Sequence, residues 1–151
     1  MKLTDLISED LVKMELTGTS KDEVMEEMAD LIDQSGALNQ LERFKKDLYL
    51  REKEGSTGIG FGIAIPHGKS DGVNTARVAL GIKREGIEWN SMDGEKAKLI
   101  FMIAVPEKNA GQEHLKILQM LSRKLMDEVF RTELLNSQTK ETTLELLGKI
   151  E

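Results

Sequence analysis

LIFMIAVP, residues 99–106, decides the architecture. Seven consecutive apolar residues closed by Pro106 read as a strand buried on both faces, which requires cover on each side. Upstream, Val78, Leu80 and Ile82 alternate with small residues between Ala76 and Lys83, as a strand does. Ile87 and Trp89 alternate briefly before an Asp93-Gly94 turn, with Trp89 as a core aromatic. Ile63 to Pro66 reads as a short extended segment, and Ile65 is biased away from helix by the proline after it. Helices surround this β-rich middle. Ser20 and Glu23 form a capping box ahead of Val24, Met28, Leu31 and Ile32, with Gly36 as the stop. Asn39 and Glu42 repeat the signal before Leu41, Phe44 and Leu48, with Gly55 as C-cap and Arg51 in the last turn. Downstream, a helix is expected from Gln112, just after Gly111. Its stripe is Leu115, Leu118, Leu121 and Leu125, continuing through Val129 and Phe130. A last helix from about Lys140 places Leu144, Leu147 and Ile150 on one face. The expected fold is a single α/β domain over residues 1–151, a sandwich with a central mixed β-sheet flanked by helices.

The composition suits such a domain and excludes several functions. The 151 residues are 39% hydrophobic, enough for a proper core. A net charge of −6 argues against binding nucleic acid or an anionic membrane, both of which call for a basic surface. The absence of cysteine removes disulfides, thiolate metal sites and cysteine nucleophiles together. The N-terminus MKLTDLISEDLVKMEL is broken by charges and has no signal-peptide apolar core. Seven apolar residues at 99–105 cannot span a bilayer as a helix. A cytoplasmic protein without direct membrane insertion is expected.

Chemistry concentrates in GIAIPHGK, residues 62–69. Its end, Gly68-Lys69-Ser70, imitates a nucleotide phosphate loop, but that motif needs glycine where Ile63 stands, and Pro66 has no amide to offer a phosphate. Two histidines without a thiolate or an H-E-x-x-H pattern make a structural zinc site a poor reading, so no metal is expected. His67 has a bland reading as a satisfied histidine at a strand end. Against it stand its place at an element end, the glycines 58, 60 and 62 just before it, and Arg51 upstream. A neutral imidazole is also a good nucleophile near neutral pH. His114 reads either as an exposed helix-start histidine or as part of an anion site at a helix N-terminus. Glu113 beside it reads better as a complement to the helix dipole than as a histidine partner. Ile59 and Phe61 read equally as inward packing or as a small docking patch. Glu26-Glu27 and Lys45-Lys46 read as solvated helix faces, and the methionines as core.

REKEGSTGIGFGIAIPHGK, Arg51 to Lys69, resembles the active-site signature of IIA proteins of the fructose–mannitol class, components of the bacterial phosphoenolpyruvate-dependent sugar phosphotransferase system. AVPEKNAGQEHLKILQMLSRKL, Ala104 to Leu125, is similar to that family's second segment. The likeness runs from the Ser20 helix to the last helix and is nearest to the fructose-specific branch, with the nitrogen-regulatory branch as the alternative. The resemblance implies a phosphoryl relay and no cofactor. A histidine-containing phosphocarrier protein donates to His67, which passes the group to a IIB component serving a membrane IIC permease. It further implies that His114 and Arg51 complete the catalytic set. Thr57, Gly58, Gly60 and Gly68 are expected to bind phosphoryl oxygens or to let a partner approach. No IIB or IIC portion occurs up to Glu151, so those components are expected either on separate chains or outside this stretch of sequence.

Overall fold

The structure, a computed structural model, describes residues 2–150. The side chains of residues 109–111 and 113 lie outside that description, and with them the expectation for Glu113. Two short 3-10 turns, Leu3–Asp5 and Glu9–Leu11, lead into β1 (Val12–Lys13). Helices α1 (Lys21–Gln34) and α2 (Leu41–Glu54) follow. Next come β2 (Gly58–Gly60), β3 (Ile63–Ala64), β4 (His67–Ser70), β5 (Arg77–Ile87) and β6 (Ala97–Pro106). A 3-10 turn, Glu107–Asn109, leads to α3 (Ala110–Leu125), α4 (Glu128–Asn136) and α5 (Lys140–Leu147).

LIFMIAVP lies in β6, at the centre of a mixed six-stranded sheet. One edge of β6 pairs antiparallel with β5, which takes β1 in parallel. The other edge is shared: β3 pairs in parallel at Leu99 and Ile100, and β4 in parallel from Ile103 to Pro106. The gap between them is Ile65-Pro66, where proline has no N–H to give the ladder. The expected extended segment is therefore two short strands, and His67 begins the second.

Successive residues of a strand face opposite sides, which sorts the helices. Gly81 of β5 abuts Met28 of α1, and Gly68 of β4 abuts Phe44 and Leu48 of α2. Their partners on β6, Ile100 and Ala104, share one face, so α1 and α2 cover that face. His67, next to Gly68, points to the other face, where α3 lies. Leu99 to Val105 are all at most 1% exposed, as two covered faces demand. Phe44, Trp89 and Phe101 are the largest fully buried side chains, and Met25, Met28 and Met102 fill the core around them.

Local details depart from the expected pattern for physical reasons. Ser20 caps α1 by accepting from the Glu23 amide, but the Glu23 carboxylate reaches one residue further back, to the Thr19 amide at 2.7 Å and its hydroxyl. Asn39 does not cap α2; its side-chain amide donates to the Asp71 carbonyl and Asn74, and Gln40 takes the cap position. The expected long helix from Gln112 starts instead at Ala110, with Gly111 inside it. It stops at Leu125, because Asp127 accepts from the Val129 and Phe130 amides and opens α4. Its buried stripe is Ile117, Met120, Leu121 and Leu125, while Leu115 and Val129 are 57% and 69% exposed. The Glu26-Glu27 and Lys45-Lys46 faces are not merely solvated. Lys45 pairs with Glu26 at 2.8 Å, and Glu27 receives the Thr17 and Gly18 amides.

Candidate functional site

The break in the ladder builds the site. Pro66 keeps one tie to β6, its carbonyl accepting from the Ile103 amide at 3.0 Å. The Ile65 amide turns the other way and donates to the Thr57 carbonyl at 3.0 Å. The Ile65 carbonyl is then free to meet the His67 ring, and Nδ1 lies 2.8 Å from it. A carbonyl only accepts, so Nδ1 carries the proton and Nε2 keeps a bare lone pair. Burial lowers the His67 pKa below 6.5, and the Arg51 charge adds to this, while the Ile65 bond and the Glu52 and Glu54 carboxylates oppose it.

His114 packs on this ring from α3, with centroids 4.6 Å apart and planes tilted by 58°. It is the fifth residue of α3 rather than part of its first turn, because the helix begins at Ala110. Burial pushes its pKa from 6.5 down to about 4, helped by the charges of His67, Lys69 and Arg51. Both imidazoles are therefore neutral at pH 7. His114 Nδ1 is buried and has no hydrogen-bond partner among the described residues. Arg51, in the last turn of α2, donates through Nη1 to the Gly55 carbonyl at 2.9 Å. Among the described residues neither Arg51 nor Lys69 has a carboxylate within ion-pair distance, so both cations are available to an incoming anion.

These groups open on one cavity of about 380 Å³, lined by His67, His114, Arg51, Gly68, Lys69 and several α2 residues including Leu50. A larger cleft of about 490 Å³ between α4 and α5 holds no histidine, lysine or arginine and offers no such chemistry. Among the described residues no cluster of His, Asp or Glu is arranged to hold a metal ion.

The expected phosphoryl-binding residues divide. Gly68 lines the cavity, but its lack of a side chain serves packing: a Cβ there would come within 3.3 Å of Phe44 and 3.4 Å of the Leu48 amide. Thr57, Gly58 and Gly60 lie outside the lining. Thr57 is 4% exposed and bonded to Glu52 and Trp89, and the Gly58 amide donates to Ser56 Oγ. Gly60, at φ 100°, turns the chain beside Asp93, which accepts from the Phe61 amide. Ile59 and Phe61 are 37% and 54% exposed, so neither packs inward. Phe61 carries the Arg131 guanidinium over its ring at 4.9 Å. The turn at Gly62 meets β6 at Lys98, five residues from Ile103 where His67 pairs, or about 16 Å at ~3.3 Å per residue. The apolar residue lining the cavity of the histidines is instead Leu50, 49% exposed. Sequence reasoning overlooked it because Leu50 lies off the Leu41, Phe44 and Leu48 stripe and reads as one more surface residue of the helix.

A bare imidazole nitrogen, a second neutral imidazole against it and two available cations define a nucleophile placed beside an anion site. The chain matches the family "Phosphoenolpyruvate-dependent sugar phosphotransferase system, EIIA 2" over residues 5–150 and belongs to it. EIIA domains of this family are phosphotransferases acting through a phosphohistidine. The chain is 39% identical to the "PTS system fructose-specific EIIA component" of Haloferax volcanii, covering 93% of this chain and 91% of that protein. It is 36% identical to the "PTS system fructose-specific EIIABC component" of Bacillus subtilis over 99% of this chain, but spans only 23% of that protein's length. The crystal structure of nitrogen regulatory protein IIA-Ntr from Neisseria meningitidis superimposes with a TM-score of 0.87 at 33% identity, covering 95% of this chain and 97% of that one. The IIA mannitol structure from Escherichia coli shares the fold, with a TM-score of 0.81 at 24% identity, covering 93% and 98% of the two chains. Among the described residues no helix is long and apolar enough to cross a membrane.

Proposed function

We propose that His67 accepts a phosphoryl group from a histidine-containing phosphocarrier protein and passes it to a IIB component linked to a membrane IIC permease, in fructose uptake. The observation that carries this reading is the 2.8 Å contact between His67 Nδ1 and the Ile65 carbonyl, which leaves Nε2 as the nucleophile at the cavity. The donor's P–N bond breaks as a bond forms from phosphorus to Nε2, and the donor imidazole leaves with the electron pair. The His67 ring, still protonated at Nδ1, gains positive charge, and the Ile65 carbonyl stabilises it. A IIB thiolate then takes the phosphoryl group in line, restoring the neutral ring. Such transfers rest on positioning and charge stabilisation. Arg51 and Lys69 supply positive charge for the phosphoryl oxygens, and His114, which lines the same cavity, supplies a hydrogen bond to them. Leu50 gives the cavity an apolar border for brief docking at the cytoplasmic face of the transport system. No nucleic acid or resident cofactor takes part.

The test is phosphorylation by phosphoenolpyruvate, enzyme I and the phosphocarrier, read by intact mass. Wild type gains one acid-labile phosphoryl group and His67→Ala gains none; uptake by that variant removes His67 as acceptor. His114→Ala is expected to accept the group but pass it on slowly. A second reading, a regulatory protein whose phosphorylation state controls its partners, draws on the 33% identity to IIA-Ntr and 34% identity to the "Nitrogen regulatory protein" of Bradyrhizobium diazoefficiens. Transfer from phospho-His67 to fructose IIB proteins favours transport, and refusal by all of them favours regulation.

A further inference from the structure

Glu52 sits next to Arg51 but turns away from the cavity, into the protein. Its side chain is 8% exposed and meets Lys21 at 2.7 Å. The same carboxylate accepts the Thr57 amide at 3.3 Å and the Thr57 hydroxyl. The Thr57 hydroxyl in turn accepts from Trp89 Nε1 at 3.0 Å, and Trp89 is fully buried. Thr57 is therefore fixed at its amide, at its side chain and by the core. Its carbonyl is the acceptor that holds the Ile65 amide, and Ile65 presents the carbonyl that meets His67 Nδ1.

We propose that Glu52 is a positioning residue for phosphoryl transfer: by anchoring Thr57 it places the Ile65 carbonyl that keeps His67 protonated at Nδ1 and reactive at Nε2. The role rests on the reading of His67 as the acceptor. The coupling is positional, because the Ile65 amide and carbonyl belong to different peptide units and do not polarise one another directly. Three supports aim the carbonyl. Thr57 holds the amide of Ile65, Ile103 of β6 holds the carbonyl of Pro66, and the proline ring fixes the turn between them. Without the Thr57 support, Ile65 is held from one side only and its carbonyl can swing. The ring then loses the partner that selects its tautomer. A buried, fully satisfied network of this kind fixes one arrangement, and breaking one member loosens the rest.

The tautomer is read from imidazole nitrogen shifts by NMR in the unphosphorylated protein, beside the phosphoryl transfer rate and the melting temperature. Glu52→Met removes both bonds to Thr57 at nearly constant volume. It is expected to mix the His67 tautomers and slow transfer about tenfold. Glu52→Gln keeps an oxygen for Thr57 and is expected to restore most of both. Thr57→Ser keeps the hydroxyl and is expected to match wild type. The charged and titratable groups that share the cavity with His67 are Asp47, Arg51 and Glu54 from α2, Glu107 after β6, His114 from α3 and Lys69 beside it, while Glu52 acts on the ring from behind Arg51. Since Glu52 opposes the Arg51 field, Glu52→Met is also expected to lower the His67 pKa further. A folded Glu52→Met protein with unchanged tautomer and unchanged rate overturns the proposal, even if its melting temperature falls. Failure of Glu52→Gln to restore the tautomer also overturns it. Should Glu52→Met not fold, Thr57→Val is read on the same quantities, and unchanged values overturn the proposal equally. Uptake by His67→Ala would instead remove the acceptor role and leave the tautomer result standing.

Discussion

Two neutral histidines in contact make the site sensitive to acid in a defined window. An imidazole whose folded pKa is depressed stays unprotonated where the unfolded chain binds a proton, so stability falls as pH drops through that interval. For His114 the interval runs from 6.5 down to about 4, and His67 adds to its upper part. Glu23, Glu26, Glu27 and Asp93 also lose stabilising bonds in acid, but their pKa values are held below 4.5, 4.5, 4.5 and 3.8. Urea unfolding between pH 7 and 5 is therefore expected to show stability falling with pH in wild type and falling less in His114→Leu; equal slopes would contradict the shift at His114. Phosphoryl uptake is expected to hold from pH 8 to 6.5 and to decline below, as His67 takes up a proton on Nε2. Of this site, His67 was legible because a histidine between proline and glycine at an element end has few bland explanations. Its tautomer was not legible. It depends on a carbonyl released by the break between β3 and β4, which only the pairing with β6 makes visible.

Elements carry the site as much as residues do, and α2 does so at both ends. Its last turn brings Arg51 to the cavity, while its start is fixed by Gly72, whose carbonyl accepts from the Asn39 and Gln40 amides. A Cβ on Gly72 would lie 2.5 Å from the Gln40 carbonyl oxygen and 3.1 Å from the Phe44 amide. Backbone cannot yield as a side chain tip does, so Gly72→Ala must displace the first turn of α2. The expected cost is about 1–3 kcal/mol in denaturant unfolding, the range for overpacking. A neutral result would mean that α2 slides freely over β4. Helix existence was legible from capping residues and 3.6-residue spacing, yet Asn39 misled, since an N-cap residue type also serves a distant loop when the chain returns beside it. Asp127 was the missed signal: it caps α4 in the middle of what reads as one continuous stripe.

For the whole molecule the strand spacings announced an α/β sandwich, but not the sheet order. LIFMIAVP demands neighbours on both edges without saying which strands supply them. β1 and β4 are too short to show a period of two, and their pairing with β5 and β6 is set by packing across the chain. That order has a functional consequence. It puts the Phe61 turn and the histidines at opposite ends of β6, so the Phe61–Arg131 pair is remote from the cavity, and under the proposed relay Leu50 is the apolar residue at hand for docking. Relay partners must bind and leave quickly, which suits a small interface with few anchors. Leu50→Glu places a charge on an exposed site and is expected to leave the melting temperature within about 2 °C, since exposed substitutions change stability little. The same charge at the docking border is expected to raise the KM for the phosphocarrier about tenfold, the effect of losing one apolar anchor. Phe61→Ala is expected to leave KM and transfer rate unchanged. If instead Phe61→Ala raises KM and Leu50→Glu does not, the partner docks over the far end of β6, and the route of the phosphoryl group to His67 must be redrawn.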